Sequence, residues 1–459
     1  MALATGGLAS GGDLAFAHPS PAADRAGVPA AARAAATGGV VLAAPVAGAD
    51  TLPTTAGLQR DLAQVLQDRG LGGLNFAIAD GSTSRLLYGS GENTPATPAS
   101  TTKLLTAVAA LSLIPADTRI STRVVKGAAP GEITLVGGGD PTLSALPADR
   151  IQVGGLPVDA ETAPASLAEL ARQTATALKA AGTGTVKLGY DTSLYSGPLL
   201  HKENDYANIA PVTPLMADEG KVDPTATIDA PSRYTDPADQ TAETFAGLLK
   251  AQGITVDGKA QQASAAQGAQ QLAEVKSPTI ARLVERTLTT SDNTLAEALA
   301  RQAALAAHEP ASFDGAVAAV TEALQKLGVP MNGVVLGDGS GLYTGNLISP
   351  LVLAKVLSVA ASPEHPELRP VLTGLPIAGF TGTLRTRFGA SSGAQEAAGI
   401  VRAKTGTLAD SGVYTLAGTV VDADGRVLVF AFMNKSTDGA ATRAATDRAA
   451  ARLAACGCR

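Results

Sequence analysis

Strand signals lie at both ends of this chain, and helix signals fill the space between them. Residues 413–421 and 427–433 are apolar runs, and Asp424-Gly425 between them is the turn chemistry of a tight hairpin. A third strand signal covers 400–407. Far upstream, 74–78 and 85–88 read as two short strands around Asp80-Gly81. An isolated hairpin cannot bury a face, so early and late strands are expected in one antiparallel sheet with helices packed on it. The helices come from 3.6-residue periodicity. Leu58, Leu62, Val65 and Leu66 share one face before Gly70, and Ile280, Leu283, Val284 and Leu288 share another behind a Ser277-Pro278 cap. Further helices are expected over 295–307, 316–327, after Ser349-Pro350, and over 441–455.

The middle of the chain has a different character. Ser166 and Glu169 form a capping box for a helix that Gly182 closes before a strand at 185–188. Asp236-Pro237 opens a second helix, closed by Gly253 before 254–256. These two helix–Gly–strand units predict a small α/β domain inserted at 121–272, with 201–219 as a surface loop. Gly137-Gly138-Gly139-Asp140-Pro141 is a tight turn, and no Gly-Lys-Ser/Thr follows to make it a phosphate loop. The catalytic part is then discontinuous, 51–120 plus 273–459. Residues 1–50 read as a flexible Ala/Pro/Gly-rich segment. Met1 to Gly12 lacks the basic start of a signal peptide, which leaves the export route open.

Composition narrows the partners. A net charge of −6, 3% aromatic residues and no Trp argue against nucleic-acid binding. The four histidines have no metal-ligand spacing, and neither a metal nor a cofactor is expected. Cys456 and Cys458, one residue apart, are poorly placed to bridge each other and read as tail thiols.

Chemistry concentrates at three places. Pro98 precedes Ser100, which falls at a helix start, and Lys103 emerges three residues later on the same face. Alone, this is an ordinary helix cap. Ser291-Asp292-Asn293 interrupts two helices, and Lys404-Thr405-Gly406-Thr407 ends an edge strand. Together and in this order, Ser-x-x-Lys, Ser-Asp-Asn and Lys-Thr-Gly form the signature of penicillin-binding proteins and class A β-lactamases. Further segments sharpen the match: Thr94 to Lys103, Leu135 to Leu143 around Gly-Gly-Gly-Asp-Pro, Ala296-Glu297, Asp338-Gly339-Ser340-Gly341-Leu342, Gly382-Thr383-Leu384-Arg385 and Arg402 to Leu408. On these residues the chain resembles the D-alanyl-D-alanine carboxypeptidase/endopeptidase family of low-molecular-mass penicillin-binding proteins, class C, over about 55–455. Ser100 and Ser291 are 191 residues apart, which fits the inserted domain of that family and not a plain β-lactamase.

The resemblance implies an α+β, β-lactamase/transpeptidase-like fold and an acyl-enzyme on Ser100. Lys103 would be the base, its pKa lowered by burial and by Lys404. Ser291 would relay a proton to the leaving amine, and Asn293 would hold the substrate amide. Lys404, Thr405 and Thr407 would take the terminal carboxylate, Gly406 would admit the substrate backbone, and the N–H groups of Ser100 and Thr407 would form the oxyanion hole. The implied partners are peptidoglycan stem peptides ending in D-Ala-D-Ala and β-lactams as acylating inhibitors, at the cell envelope. Asp140, Asp292 and Asp338 read as turn formers, Glu297 as structural, and Arg385 and Arg402 as structural or rim charges. Two alternatives stand beside this reading. One is a serine β-lactamase or esterase, for which Glu322 is the nearest candidate deacylating carboxylate. The other is a wall-binding protein with a relict site. The oligomeric state is left open.

Overall fold

The computed structural model describes residues 52–153, 156–203, 207–226 and 230–459. The expectations for 1–50 lie outside these residues. Along the chain, α1 (Thr55–Leu66) precedes β1 (Gly73–Asp80), β2 (Leu86–Ser90) and α2 (Thr102–Leu113). The middle holds β3 (Arg119–Lys126), β4 (Glu132–Val136), α3 (Leu167–Ala180), β5 (Thr185–Asp191), α4 (Pro237–Ala251) and β6 (Gln271–Thr279). Helices α5 (Ile280–Thr290), α6 (Asn293–Ala306), α7 (Phe313–Lys326) and α8 (Pro350–Ala361) follow. The chain finishes with β7 (Arg402–Leu408), β8 (Val413–Val421), β9 (Val427–Lys435) and α9 (Gly439–Ala454).

Early and late strands do share one antiparallel sheet, in the order β7-β8-β9-β1-β2. Alternation along its strands sorts side chains by size. Phe76, Ile78, Leu416, Phe430 and Phe432 point to one face, under α1 and α9. Ala77, Ala79, Ala417, Val429 and Ala431 point to the other, where small side chains let α2, α5 and α8 approach. Phe432 is 1% exposed, so Phe432→Ala should cost about 3–5 kcal/mol, read as a lower urea midpoint. A second sheet, β6-β3-β4-β5, is extended by the short strand Thr255–Val256. Its β4–β5 pair is parallel, and α3 and α4 pack on it around Leu170, Leu188 and Phe245.

Several local expectations are confirmed by cap geometry. Ser166 Oγ accepts from Glu169 N at 3.2 Å, Asp236 Oδ1 from Asp239 N at 3.0 Å, and Ser349 Oγ from Val352 N at 3.4 Å. Others need correcting. Thr279, not Ser277, caps α5. Ser277 lies in β6, where its hydroxyl accepts from Ile120 N at 2.8 Å, and Pro278 is tolerated because β6 is an edge strand. The stretch 201–219 is not a surface loop: Ile209, Ala210, Val212, Leu215 and Met216 are buried. Their irregular spacing carries no periodic signal, yet Ile209 and Val212 pack with Tyr195 and Ala311. The C-terminal cysteines also differ from expectation. Cys456 and Cys458 are buried rather than loose in a tail, with Cα atoms 5.1 Å apart and both sulfurs beside Asp61. The tail bends back over α1, where Thr54 N donates to Cys458 O at 2.8 Å. Only glycine fits at position 57, since a Cβ there would lie 2.1 Å from that carbonyl oxygen.

Candidate active site

Three segments converge at the end of α2. The first is the turn that carries Ser100. Ala99 is left-handed (φ 50°), an arrangement that costs a non-glycine residue about 1–3 kcal/mol and must be held by its surroundings. The Thr102 hydroxyl donates to Ala99 O at 2.9 Å, while those of Thr101 and Thr415 donate to Pro98 O at 2.6 and 2.8 Å. Two glycines seat the turn. A Cβ on Gly341 would lie 2.0 Å from Ala99 O, and one on Gly406 would lie 2.1 Å from Thr415 Oγ1 and 2.7 Å from Pro98 O. The bare face of Gly406 therefore meets the nucleophile turn. A single 3₁₀ turn over Ala99–Thr101 then leads into α2, which is buried from Thr102 through Leu111.

The second segment lies between α5 and α6. Ser291 caps α5 in a left-handed conformation (φ 60°, ψ 34°). Asp292 is the N-cap of α6, its Oδ1 accepting from Leu295 N at 2.7 Å, which makes it the turn former expected. Asn293 is the first residue of α6. The third segment is β7, the edge strand of the sheet, paired with β8 and bridged near its start by Ile377, with Ala403 N donating to Pro376 O at 3.0 Å.

These elements bring two buried lysines together. Lys103 Nζ lies 2.9 Å from Ser100 Oγ, 2.6 Å from Asn293 Oδ1 and 2.7 Å from Ser340 O. Lys404 Nζ lies 2.8 Å from Ser291 Oγ and 2.8 Å from Thr405 O. Asn293 is fixed by its other end, Nδ2 donating to Asn208 O at 2.9 Å. The Thr405 hydroxyl pairs with that of Thr383 at 2.8 Å, and Thr407 is exposed at the end of β7. Burial brings the Lys103 pKa down to about 8, against the opposing charges of Asp338, Asp292 and Glu297. Burial also drives Lys404 well below the usual lysine range, with the charge of Lys103 adding to it. The repulsion between the two lysines is mutual, so burial and their proximity together disfavour the doubly protonated pair.

Some functional contacts had no sequence signal of their own. The acceptors Ser340 O and Asn208 O are backbone atoms, which no side-chain pattern reports. Ser340 belongs to a turn tied down by Asp338, which accepts from Gly341 N, Tyr343 N and Asn346 Nδ2 at 2.9, 2.8 and 2.7 Å. Glu297 supports the same turn, accepting from Gly339 N at 3.0 Å and Ser340 N at 2.8 Å. Burial, then Asp338, raises its pKa to about 7. Glu322 lies on an exposed face of α7, paired with Lys326 at 2.7 Å.

The fold is that of the penicillin-recognising serine enzymes. The chain belongs to the D-Ala-D-Ala carboxypeptidase 3 (S13) family, whose model matches residues 58–233 and 224–456. A carboxypeptidase of Mycobacterium tuberculosis is 37% identical over 424 residues, spanning 90% of this chain and 87% of the relative. The D-alanyl-D-alanine carboxypeptidase of an Actinomadura species is 29% identical over 468 residues, spanning 86% and 84%. Among solved structures, penicillin binding protein 4 (dacB) from Haemophilus influenzae shares the fold with a TM-score of 0.66 at 21% identity, covering 88% of this chain and 100% of that one.

Proposed function

We propose that this family member is a serine D-Ala-D-Ala carboxypeptidase/endopeptidase that opens stem peptides of peptidoglycan through an acyl-enzyme on Ser100. The observation that carries the reading is the set of contacts around Lys103 Nζ. Asn293 Oδ1 and Ser340 O can only accept hydrogen bonds, so they take both N–H bonds of a neutral amine. The lone pair is then left facing Ser100 Oγ at 2.9 Å, the place of a general base. Ser100 gives its proton to Lys103 and its Oγ attacks the carbonyl of the D-Ala-D-Ala bond. The proton passes by way of Ser291 to the departing D-Ala nitrogen, and water later cleaves the ester. The backbone N–H groups of Ser100 and Thr407 take the developing oxyanion.

The substrate carboxylate is assigned to Lys404, Thr405 and Thr407. An arriving anion favours the charged form of Lys404, reversing the effect of burial. Thr383 orients the Thr405 hydroxyl, so Thr383→Val should raise KM by roughly 3- to 10-fold with kcat within about twofold, as steady-state D-Ala release will show.

The same site accepts β-lactams as acylating inhibitors. Turnover of the penicilloyl-enzyme is slow on this reading, because Glu322 is spent in a surface ion pair and supplies no deacylating carboxylate. The peptide substrate places the enzyme at the cell envelope. Among the described residues no helix is long and apolar enough to cross a membrane. The test is D-Ala release from a synthetic pentapeptide beside penicillin consumption. Stoichiometric penicillin uptake with continued D-Ala release supports the peptidase, whereas rapid penicillin hydrolysis without D-Ala release makes the protein a β-lactamase.

A further inference from the structure

Besides the Asn208 carbonyl that holds Asn293, the inserted domain sends a buried acid, Glu219, toward the catalytic residues. Glu219 sits on three consecutive left-handed residues, Asp218 (φ 51°), Glu219 (φ 58°) and Gly220 (φ 69°). Two of these are not glycine, so the turn is strained unless its surroundings hold it. They do. Asp218 N donates to Leu143 O at 2.7 Å and Glu219 N to Pro141 O at 2.8 Å. The Asp218 carboxylate accepts from Ser144 Oγ at 2.6 Å and Ala145 N at 3.0 Å. The end of the Gly-Gly-Gly-Asp-Pro turn and the residues that follow it, Pro141 to Ala145, are thus the seat for Glu219. That turn is itself docked on α6, Gln302 Nε2 donating to Gly138 O at 2.9 Å.

From this seat the Glu219 side chain, 2% exposed, crosses to the catalytic elements. It is ion-paired with Arg286 on α5, just before Ser291, and its charge acts on Asp292 just after it. Lys221 Nζ, 2.6 Å away, is its second cation, and Arg233 Nη1 donates to its backbone carbonyl at 2.7 Å. Two neighbouring buried carboxyl groups cannot both ionise cheaply. Burial and the charge of Glu219 raise Asp292 to about 6, while Arg286 and Lys221 hold Glu219 ionised.

We propose that Glu219 is a positioning residue for Ser291: by anchoring Arg286, whose carbonyl accepts from Thr290 Oγ1 at 2.7 Å, it holds the left-handed turn that sets the Ser291 hydroxyl against Lys404. This rests on the acyl-enzyme reading above and gives the inserted domain a part in the chemistry. A misplacement of the relay by about 1 Å is enough to cost about 100-fold in rate. The expectation for Glu219→Gln, which keeps the shape and removes the charge, is a kcat for D-Ala release lowered by about 10- to 100-fold, with KM within about threefold. Fluorescent penicillin should still label every molecule on Ser100, only more slowly.

A Glu219→Gln enzyme with kcat within about twofold of the parent overturns the proposal. So does a loss of activity matched by an equal loss of labelable protein, because Glu219 would then hold the fold alone. Should Glu219→Gln not fold, Arg286→Lys takes its place, since it retains the charge but not the planar guanidinium that reaches Glu219. The same fall in kcat with complete labelling is expected there, and an unchanged kcat contradicts the anchoring. Failure of the underlying reading would look different: the parent enzyme itself would carry no penicillin on Ser100.

Discussion

Ser100→Ala is expected to lower kcat for D-Ala release by at least about 10,000-fold, with KM for the pentapeptide within about threefold. The substitution removes one oxygen. It leaves the Ala99 turn intact, because that turn is held by Thr101, Thr102 and Thr415 and by the close approach of Gly341. Substrate contacts assigned to Lys404, Thr405 and Thr407 are untouched, which is why the loss should fall on kcat. Covalent labelling by penicillin should vanish. A variant that still releases D-Ala at a tenth of the parent rate would show that another group performs the attack.

The second large effect concerns Lys103 and pH. A base must be unprotonated, and burial puts its pKa at about 8. The rate of acylation by penicillin should therefore climb about tenfold per pH unit from about pH 6, then level off above about pH 8. Lys103→Met, which fits the same buried slot without the amine, should lose about 100- to 10,000-fold and should flatten that limb. Stopped-flow acylation of both proteins across this range makes the comparison. A parent profile that is flat, or that falls as pH rises through about 8, would remove Lys103 as the base.

Much of this site was legible because its parts are local. Ser100 and Lys103 share a face three residues apart, and the break at Ser291-Asp292-Asn293 is visible as a gap in helical periodicity. The shared sheet was legible from strand signals at both ends and from Asp424-Gly425. What could not be read is tertiary. Ser340 O and Asn208 O reach Lys103 and Asn293 only after the chain folds, and a carbonyl leaves no trace in a sequence. Thr383 looked like any turn threonine until β7 placed Thr405 beside it. Glu219 was hidden in a stretch that lacks periodicity because its buried residues fill an irregular gap. The burial of Cys456 and Cys458 goes with the tail docking against α1 at Gly57, a contact between the two ends of the catalytic part.

One measurement bears most directly on the central claim. The protein is incubated with a fluorescent penicillin, digested, and the label located by mass. One penicilloyl group per chain, on the peptide containing Ser100 and on that residue, is the result expected. Label on any other residue, or its absence from an enzyme that still releases D-Ala, would contradict the account.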